Sequence, residues 1–153
     1  MAHILVDGYN LIGIAHKDLE KERDGLVRKL YEYSTAKGHH VTLVFDGWKN
    51  GQKDETKTVM GNLTVIYSRL GENADTVIRE ILSAATKPWI VVSSDREISG
   101  FAERKDFAAV TSNEFERKLD NDEDFERAPV LRKGISGRLS KKGKRKIQAL
   151  KKL

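Results

Sequence analysis

Three apolar runs in this chain stop at an aspartate: ILV at Asp7, LVF at Asp46 and VVSS at Asp95. A fourth acid, Asp75, opens a helical pattern after an apolar run and the turn SRLGEN. In a parallel α/β sheet the carboxyl ends of the strands share one edge, and ligands bind there. Four acids far apart in sequence can therefore meet in space. Unbalanced, they repel one another. Hard divalent cations such as Mg²⁺ and Mn²⁺ prefer oxygen ligands and keep several waters, so such a cluster can seat one. A bound metal activates water and stabilises charge on a phosphoryl oxygen, and two metals clamp the attacking and leaving oxygens. The matching chemistry is phosphodiester hydrolysis.

Each acid also has a plain structural role open to it. Asp75 can cap its helix or pair with Arg79 one turn later. Ser94 and Glu97 can form a capping box around Asp95, and Asp46-Gly47 is an ordinary turn pair. Around Asp7 the sequence reads ILVDGYNLIG. Gly8 permits a tight turn, and Asn10 is a neutral polar group able to orient Asp7, a water or a phosphate. An Asx-type turn that merely closes the loop is the alternative. Tyr9 can stack on a base or, more commonly for an aromatic beside a sheet, join the core.

Other chemistries lack their residues. There is no cysteine, which removes disulfides, thiolate catalysis and cysteine-based zinc sites. Gly47-Trp48-Lys49-Asn50-Gly51 lacks the Gly-Lys-Ser/Thr of a Walker loop, and no Gly-x-Ser-x-Gly elbow occurs. Neither haem nor a nucleotide cofactor is expected. His3, His16, His39 and His40 show no zinc spacing. No stretch approaches the ~20 apolar residues of a membrane helix, and the first residues do not read as a signal peptide. The reading is a soluble cytoplasmic protein.

The elements that must position the acids follow from periodicity. HILV at 3–6, VTLVF at 41–45, LTVIY at 63–67, WIVV at 89–92 and, more weakly, FAAV at 107–110 read as strands. Residues 19–37 read as a helix, with Leu19, Leu26, Leu30 and Ser34 in a row, Val27 and Tyr31 alongside, and Gly38 to stop it. Residues 75–86 form a second helix, with Val77, Ile78, Ile81, Leu82 and Ala85 on one face. Thr111-Ser112-Asn113-Glu114 reads as a capping box opening a helix to about 120. Residues 47–61 and 121–137 read as irregular connections. Strands apolar throughout and alternating with helices predict an α/β three-layer fold with a mostly parallel sheet.

Charge is uneven. Residues 132–153 carry ten Lys or Arg and no acid, leaving 18 basic against 23 acidic residues in 1–131. The chain therefore divides into a domain at 1–131 with a net charge of −5 and a basic tail at 132–153. From about residue 138 the tail can form an amphipathic helix with Leu139, Ile147, Leu150 and Leu153 loosely on one side, although Gly143 disfavours it. Basic tails meet polyanions or simply keep a protein solvated.

ILVDGYNLI, LVFDG, VIYSRLGENADTVI and VVSSD resemble, in order and spacing, the YacP-like branch of the NYN domains, within the PIN-like nuclease superfamily. The ending RLSKKGKRKIQALKKL resembles the basic tail common in that branch, so the resemblance covers nearly the whole chain. It implies a PIN-like fold and metal-dependent, endonucleolytic ribonuclease activity. By this resemblance Asp7, Asp46, Asp75 and Asp95 are metal-site acids, and Asn10 is the asparagine of the Asp-Gly-Tyr-Asn signature. Asp7, Asn10, Asp75 and Asp95 are then the catalytic set, with Mg²⁺ or Mn²⁺ as cofactor. Many relatives have a second acid directly after the Ala-Asp pair, where this chain has Thr76, so one metal or a weakly held second is expected.

An acidic body needs basic groups to attract RNA. Lys49, Lys53 and Lys57 in the polar connection, Arg69, Arg79 and Arg96 nearer the acids, and Lys141, Lys142, Lys144, Arg145 and Lys146 in the tail are the candidates for backbone contacts. Trp48 can stack on an exposed base or pack on its own loop. The tail's charge also fits a ribosomal partner. The main alternative is a non-catalytic RNA- or ribosome-binding module on the same fold, which Thr76 and the tail both permit. A receiver-type phosphotransfer site lacks the resemblance. A haloacid-dehalogenase-like phosphatase expects an aspartate where Tyr9 stands.

Overall fold

A computed structural model describes residues 2–12, 19–47, 54–120 and 141–153, with the side chains of Leu19, Lys141 and Lys142 outside that description. The strands are β1 (His3–Asp7), β2 (His40–Phe45), β3 (Thr56–Met60), β4 (Leu63–Tyr67), β5 (Trp89–Val92) and β6 (Ala108–Val110). They form one sheet in the order β3-β4-β2-β1-β5-β6. All neighbours are parallel except the β3-β4 pair. The apolar strands β1, β2 and β5 are central and almost wholly buried, as strands covered on both faces must be.

Six helices cover the sheet among the described residues: α1 (Gly8–Ile12), α2 (Leu19–Lys37), α3 (Ala74–Ser83), α4 (Arg96–Arg104), α5 (Ser112–Asp120) and α6 (Lys141–Lys152). On one face Ile4, Val6, Leu43 and Phe45 pack with Tyr9 and Ile12 of α1, Leu26 and Leu30 of α2, Phe115 of α5 and Ala149 of α6. On the other, Leu5, Val44, Ile66 and Val91 pack with α3 and α4 alone. The expected three-layer α/β architecture is the one observed.

The differences have local causes. Residues 47–61 are not wholly irregular: β3 lies within them as an antiparallel edge strand, and its Thr-Lys-Thr-Val-Met sequence hides a pattern only half covered by the fold. Lys57 is therefore a strand residue rather than a loop lysine. Gly8 makes no tight turn. It starts α1, and its bareness serves packing, because a Cβ there would lie 2.3 Å from the Phe45 ring. In α2 the buried tyrosine is Tyr33, whereas Tyr31 is exposed. Gly38, at φ +70°, ends that helix as the sequence requires.

Helix starts are set by side-chain acceptors. Asn73, not Asp75, caps α3: its Oδ1 accepts from the Thr76 N–H at 3.0 Å. Asp95 caps α4 itself, accepting from the Glu97 N–H at 2.8 Å, while the Ser94 hydroxyl accepts from the Ser112 N–H. Ser94 is thus not the cap expected of it. The capping box at Thr111 and Glu114 forms reciprocally, with Thr111 Oγ1 accepting from the Glu114 N–H and Glu114 Oε1 from the Thr111 N–H.

The basic tail segment forms α6, which packs against β6. Ala149 and Leu153 are buried, and Leu150 packs partly against the same cluster. The Tyr33 hydroxyl donates to the Leu153 carbonyl at 3.1 Å. His39 Nδ1 accepts from the Ala2 N–H at 3.0 Å, so its Nε2–H is free to donate to the Lys152 carbonyl, 2.8 Å away. That neutral ring ties the first strand to the last helix, and burial lowers its pKa, which favours the neutral form.

Candidate active site at the carboxyl edge of the sheet

The connection leaving β1 leads to β2 on one side, and the crossover through α3 lands at β5 on the other. The order reverses at β1, so the crevice of an open α/β sheet lies at its carboxyl end. Asp7 stands there, only 7 % exposed. Its Oδ2 accepts two hydrogen bonds among the described residues, from Asn10 Nδ2 at 2.8 Å and from the Ser93 hydroxyl at 3.3 Å. Its pKa is pushed up to about 6, first by burial and then by the Asp46 carboxylate, with Asp95 adding to it. The bonds from Ser93 and Asn10 oppose that rise.

Asn10, on α1, also joins two elements. Its Nδ2 donates to Asp7 and its Oδ1 accepts from the Ser94 N–H at 3.1 Å, so the carboxamide bridges the ends of β1 and β5. Ser93 is a site residue that the sequence reading passed over. Its only signal was a small hydroxyl two positions before Asp95. Asp46 follows β2, and its Oδ1 accepts from the Ala74 N–H at the start of α3. There it also meets the positive end of the helix dipole. The adjacent Gly47 N–H donates to Ser68 Oγ at 2.9 Å.

The structure thus brings Asp46 and Asp95 each within electrostatic reach of Asp7. Asp75 is engaged within its own helix. Its Oδ2 pairs with Arg79 Nε at 3.0 Å, the i,i+4 alternative open to it in the sequence, while its buried Oδ1 has no hydrogen-bond partner. Arg79 Nη2 also lies 3.6 Å from Glu97 Oε2, and the guanidinium sits over Phe101.

Among the described residues no three His, Cys, Asp or Glu side chains are grouped to share one ion. A closed carboxylate cage is therefore absent from the described residues. The donor chemistry does fit a hydrated Mg²⁺ or Mn²⁺, which needs only one or two carboxylates and keeps its waters. A buried Asp7 flanked by two other acids is short of positive charge in the way such an ion would relieve.

The cations expected to meet RNA are differently placed. Trp48, Lys49 and Lys53 lie outside the described residues, as do the side chains of Lys141 and Lys142. Arg69 is exposed and paired with Glu72 at 2.8 Å, and Arg96 is exposed at the first position of α4. Arg145 pairs with Asp106 at 3.2 Å and Lys146 with Glu114 at 2.7 Å, so both fasten α6 to the body. Lys144 is exposed. Tyr9 belongs to the core: it is 9 % exposed, packs on Phe45, and accepts a hydrogen bond from Arg23 at 3.1 Å.

No described helix is long and apolar enough to cross a membrane. The chain is similar to a Bacillus subtilis (strain 168) protein named uncharacterized protein YacP, with 37% identity over 90 residues. That stretch covers 53% of this chain and about half, 51%, of the relative's length. Two crystal structures of Rae1 (YacP) from Bacillus subtilis share the fold. A mutant form gives a TM-score of 0.66 at 25% identity, covering 83% of this chain and 80% of that one. The other gives 0.62 at 27% identity, covering 83% and 79%. The model of the YacP-like NYN domain matches residues 4–152. With that match spanning almost its full length, the chain belongs to the YacP-like NYN domain family, a nuclease family.

Proposed function

We propose that this protein is a metal-dependent endoribonuclease of the cytoplasm that cuts single-stranded RNA, free or associated with the ribosome. One observation carries the site assignment: a buried carboxylate, Asp7, at the crevice where the strand order reverses, facing Asp46 and Asp95. Asp7 would hold a divalent cation through Oδ1, the oxygen that its bonds to Asn10 and Ser93 leave open, with Asp46 or Asp95 beside it. Asp75, as part of the same set, has an unpartnered Oδ1 to offer once Arg79 turns to a phosphate. The cation would supply Lewis acidity for hydrolysis of a phosphodiester. Asn10 fixes the carboxylate's orientation, and its bond to the Ser94 N–H keeps the two strand ends in register. Arg69, Arg79 and Arg96 lie on elements leaving this edge and would meet the RNA backbone without reading sequence. Lys144 and the other tail cations would add a diffuse, salt-sensitive attraction.

Labelled single-stranded RNA incubated with the purified protein should be cut internally when Mn²⁺ or Mg²⁺ is present and left whole in chelator. If free RNA is untouched, purified ribosomes carrying message are the next substrate, and cleavage there should show the same metal requirement. Intact RNA in both settings would sink the enzymatic reading. It would favour a binding module, for which the pairing of Asp75 with Arg79 and the presence of Thr76 in place of an acid both speak.

A further inference from the structure

The two faces of the sheet are unequally covered. Among the described residues, four helices pack on one and only α3 and α4, ten and nine residues long, on the other. That leaves a groove of about 480 Å³ on the α3 face, running from β5 across to the edge strand β3. It lies at the amino ends of β1, β2 and β5, roughly 13 Å along β1 from Asp7 at ~3.3 Å per residue.

The groove's chemistry is unlike that of the body around it. No described residue lining it is acidic, although residues 1–131 carry a net charge of −5. An aromatic row crosses one end. His3 and His40, paired in register, stack with centroids 5.2 Å apart and planes within 7°. His3 and Trp89 meet edge-to-face with centroids 5.8 Å apart, and Lys87 Nζ sits 5.5 Å from the Trp89 ring centre. Lys57 lines the far side, and Thr42 and Thr64 lie on the floor between. Burial and the nearby Lys87 and His40 hold the His3 pKa below its ordinary value, so at neutral pH the ring is an uncharged flat surface.

We propose that this groove is a second contact site for single-stranded RNA, with a base set against the His3–His40–Trp89 row and phosphates met by Lys57 and Lys87. The proposal rests on the ribonuclease reading for the identity of its ligand. Flat rings supply sequence-tolerant stacking, and the two lysines supply backbone attraction where the acidic body would otherwise repel. A strand held here would cross the α3 face toward the acidic edge, so the groove would hold RNA flanking the scissile bond.

The test is binding, read apart from cleavage. A fluorescein-labelled, unstructured 12-nucleotide RNA is titrated with the full-length protein in chelator, by anisotropy, from 50 to 200 mM NaCl. The Lys57→Gln/Lys87→Gln variant should bind about tenfold more weakly, and the slope of log K against log salt should flatten by about 1.4, at ~0.7 per lost contact on a single strand. His3→Ala should weaken binding roughly fivefold with the slope unchanged, because it removes stacking and no charge. Lys29→Gln/Lys105→Gln removes the same charge elsewhere and should leave the slope as it is. Both lysines of the groove are exposed, so melting curves should match wild type. Wild-type affinity and slope in the groove variant would overturn the proposal, whether or not the protein cuts RNA. Loss of binding in a protein that never cleaves would uphold the groove and defeat the nuclease reading. A wild-type protein that does not bind the oligonucleotide would overturn the groove outright.

Discussion

Asp7→Asn should abolish RNA cleavage, by roughly a thousandfold or more, and at the same time make the protein harder to unfold at pH 7.5. The two effects share a cause. Asp7 is held almost out of water beside Asp46 and Asp95, and its pKa is raised from 3.8 to about 6. Ionising it in the folded protein therefore costs free energy that the unfolded chain does not pay. A shift of about two units corresponds to ~3 kcal/mol as an upper bound, and local relaxation brings the expected gain on neutralisation to about 1–3 kcal/mol. For a domain of this size that is about 3–8 °C in Tm. An asparagine can still accept through Oδ1 the bonds that Asn10 and Ser93 now donate, so no buried donor is orphaned.

The pH dependence fixes the sign. Between pH 3.8 and about 6 the folded state holds a proton on Asp7 that the unfolded state has released. Stability of the wild-type protein from this group therefore falls as pH rises through that window, and the penalty is complete above it. The difference in Tm between Asp7→Asn and wild type, measured in chelator, should be largest at pH 7 and above, shrink through pH 6 and vanish near pH 4. A variant that cuts RNA normally removes Asp7 from the site. One that is less stable than wild type at pH 7.5 contradicts the electrostatic account of the buried Asp7 carboxylate.

Much of this edge was legible because a carboxylate interrupting an apolar run is conspicuous, and a parallel sheet collects such interruptions on one side. Asp7, Asp46 and Asp95 needed only strand ends and topology to be brought together. Asp75 did not, since its direction depends on an i,i+4 contest with Arg79 that spacing alone leaves open. Ser93 was invisible as a site residue because its role rests on a bond to a residue 86 positions away. β3 was missed because an edge strand with one half-covered face can read Thr-Lys-Thr-Val and still pair. α1 is five residues long and begins at a glycine, so it offers almost no period to detect. In α6 the basic residues dominate the composition, yet Ala149, Leu153 and two backbone carbonyls dock it alongside the ion pairs of Arg145 and Lys146. His39 shows the limit most plainly. Its partners are Ala2 and Lys152, at the two ends of the described chain, and nothing beside it in sequence points to either.

Two glycines should respond to alanine in opposite directions, and the contrast isolates what holds Asp46 in place. Gly47→Ala should lower stability by about 3 kcal/mol or more, because its Cβ would fall 1.4 Å from the Ser68 carbonyl oxygen. No side-chain rotation relieves a clash with backbone. Ser68 is itself fixed: its N–H donates to the Phe45 carbonyl at 3.0 Å, and its hydroxyl accepts from Gly47 and donates to Glu72. The chain can give only by moving Gly47 and the adjacent Asp46, whose carboxylate holds the first turn of α3. Cleavage should therefore be lost even at temperatures where the variant stays folded. Gly25→Ala, on the exposed side of α2 with no atom within 4 Å of the new Cβ, should instead raise stability by about 0.5–1 kcal/mol through helix propensity and leave cleavage untouched. Urea-unfolding midpoints for the two variants decide the matter. A Gly47→Ala protein with the wild-type midpoint would mean that the β2 exit is not packed against the β4 exit as described, and the placement of Asp46 beside Asp7 would fall with it.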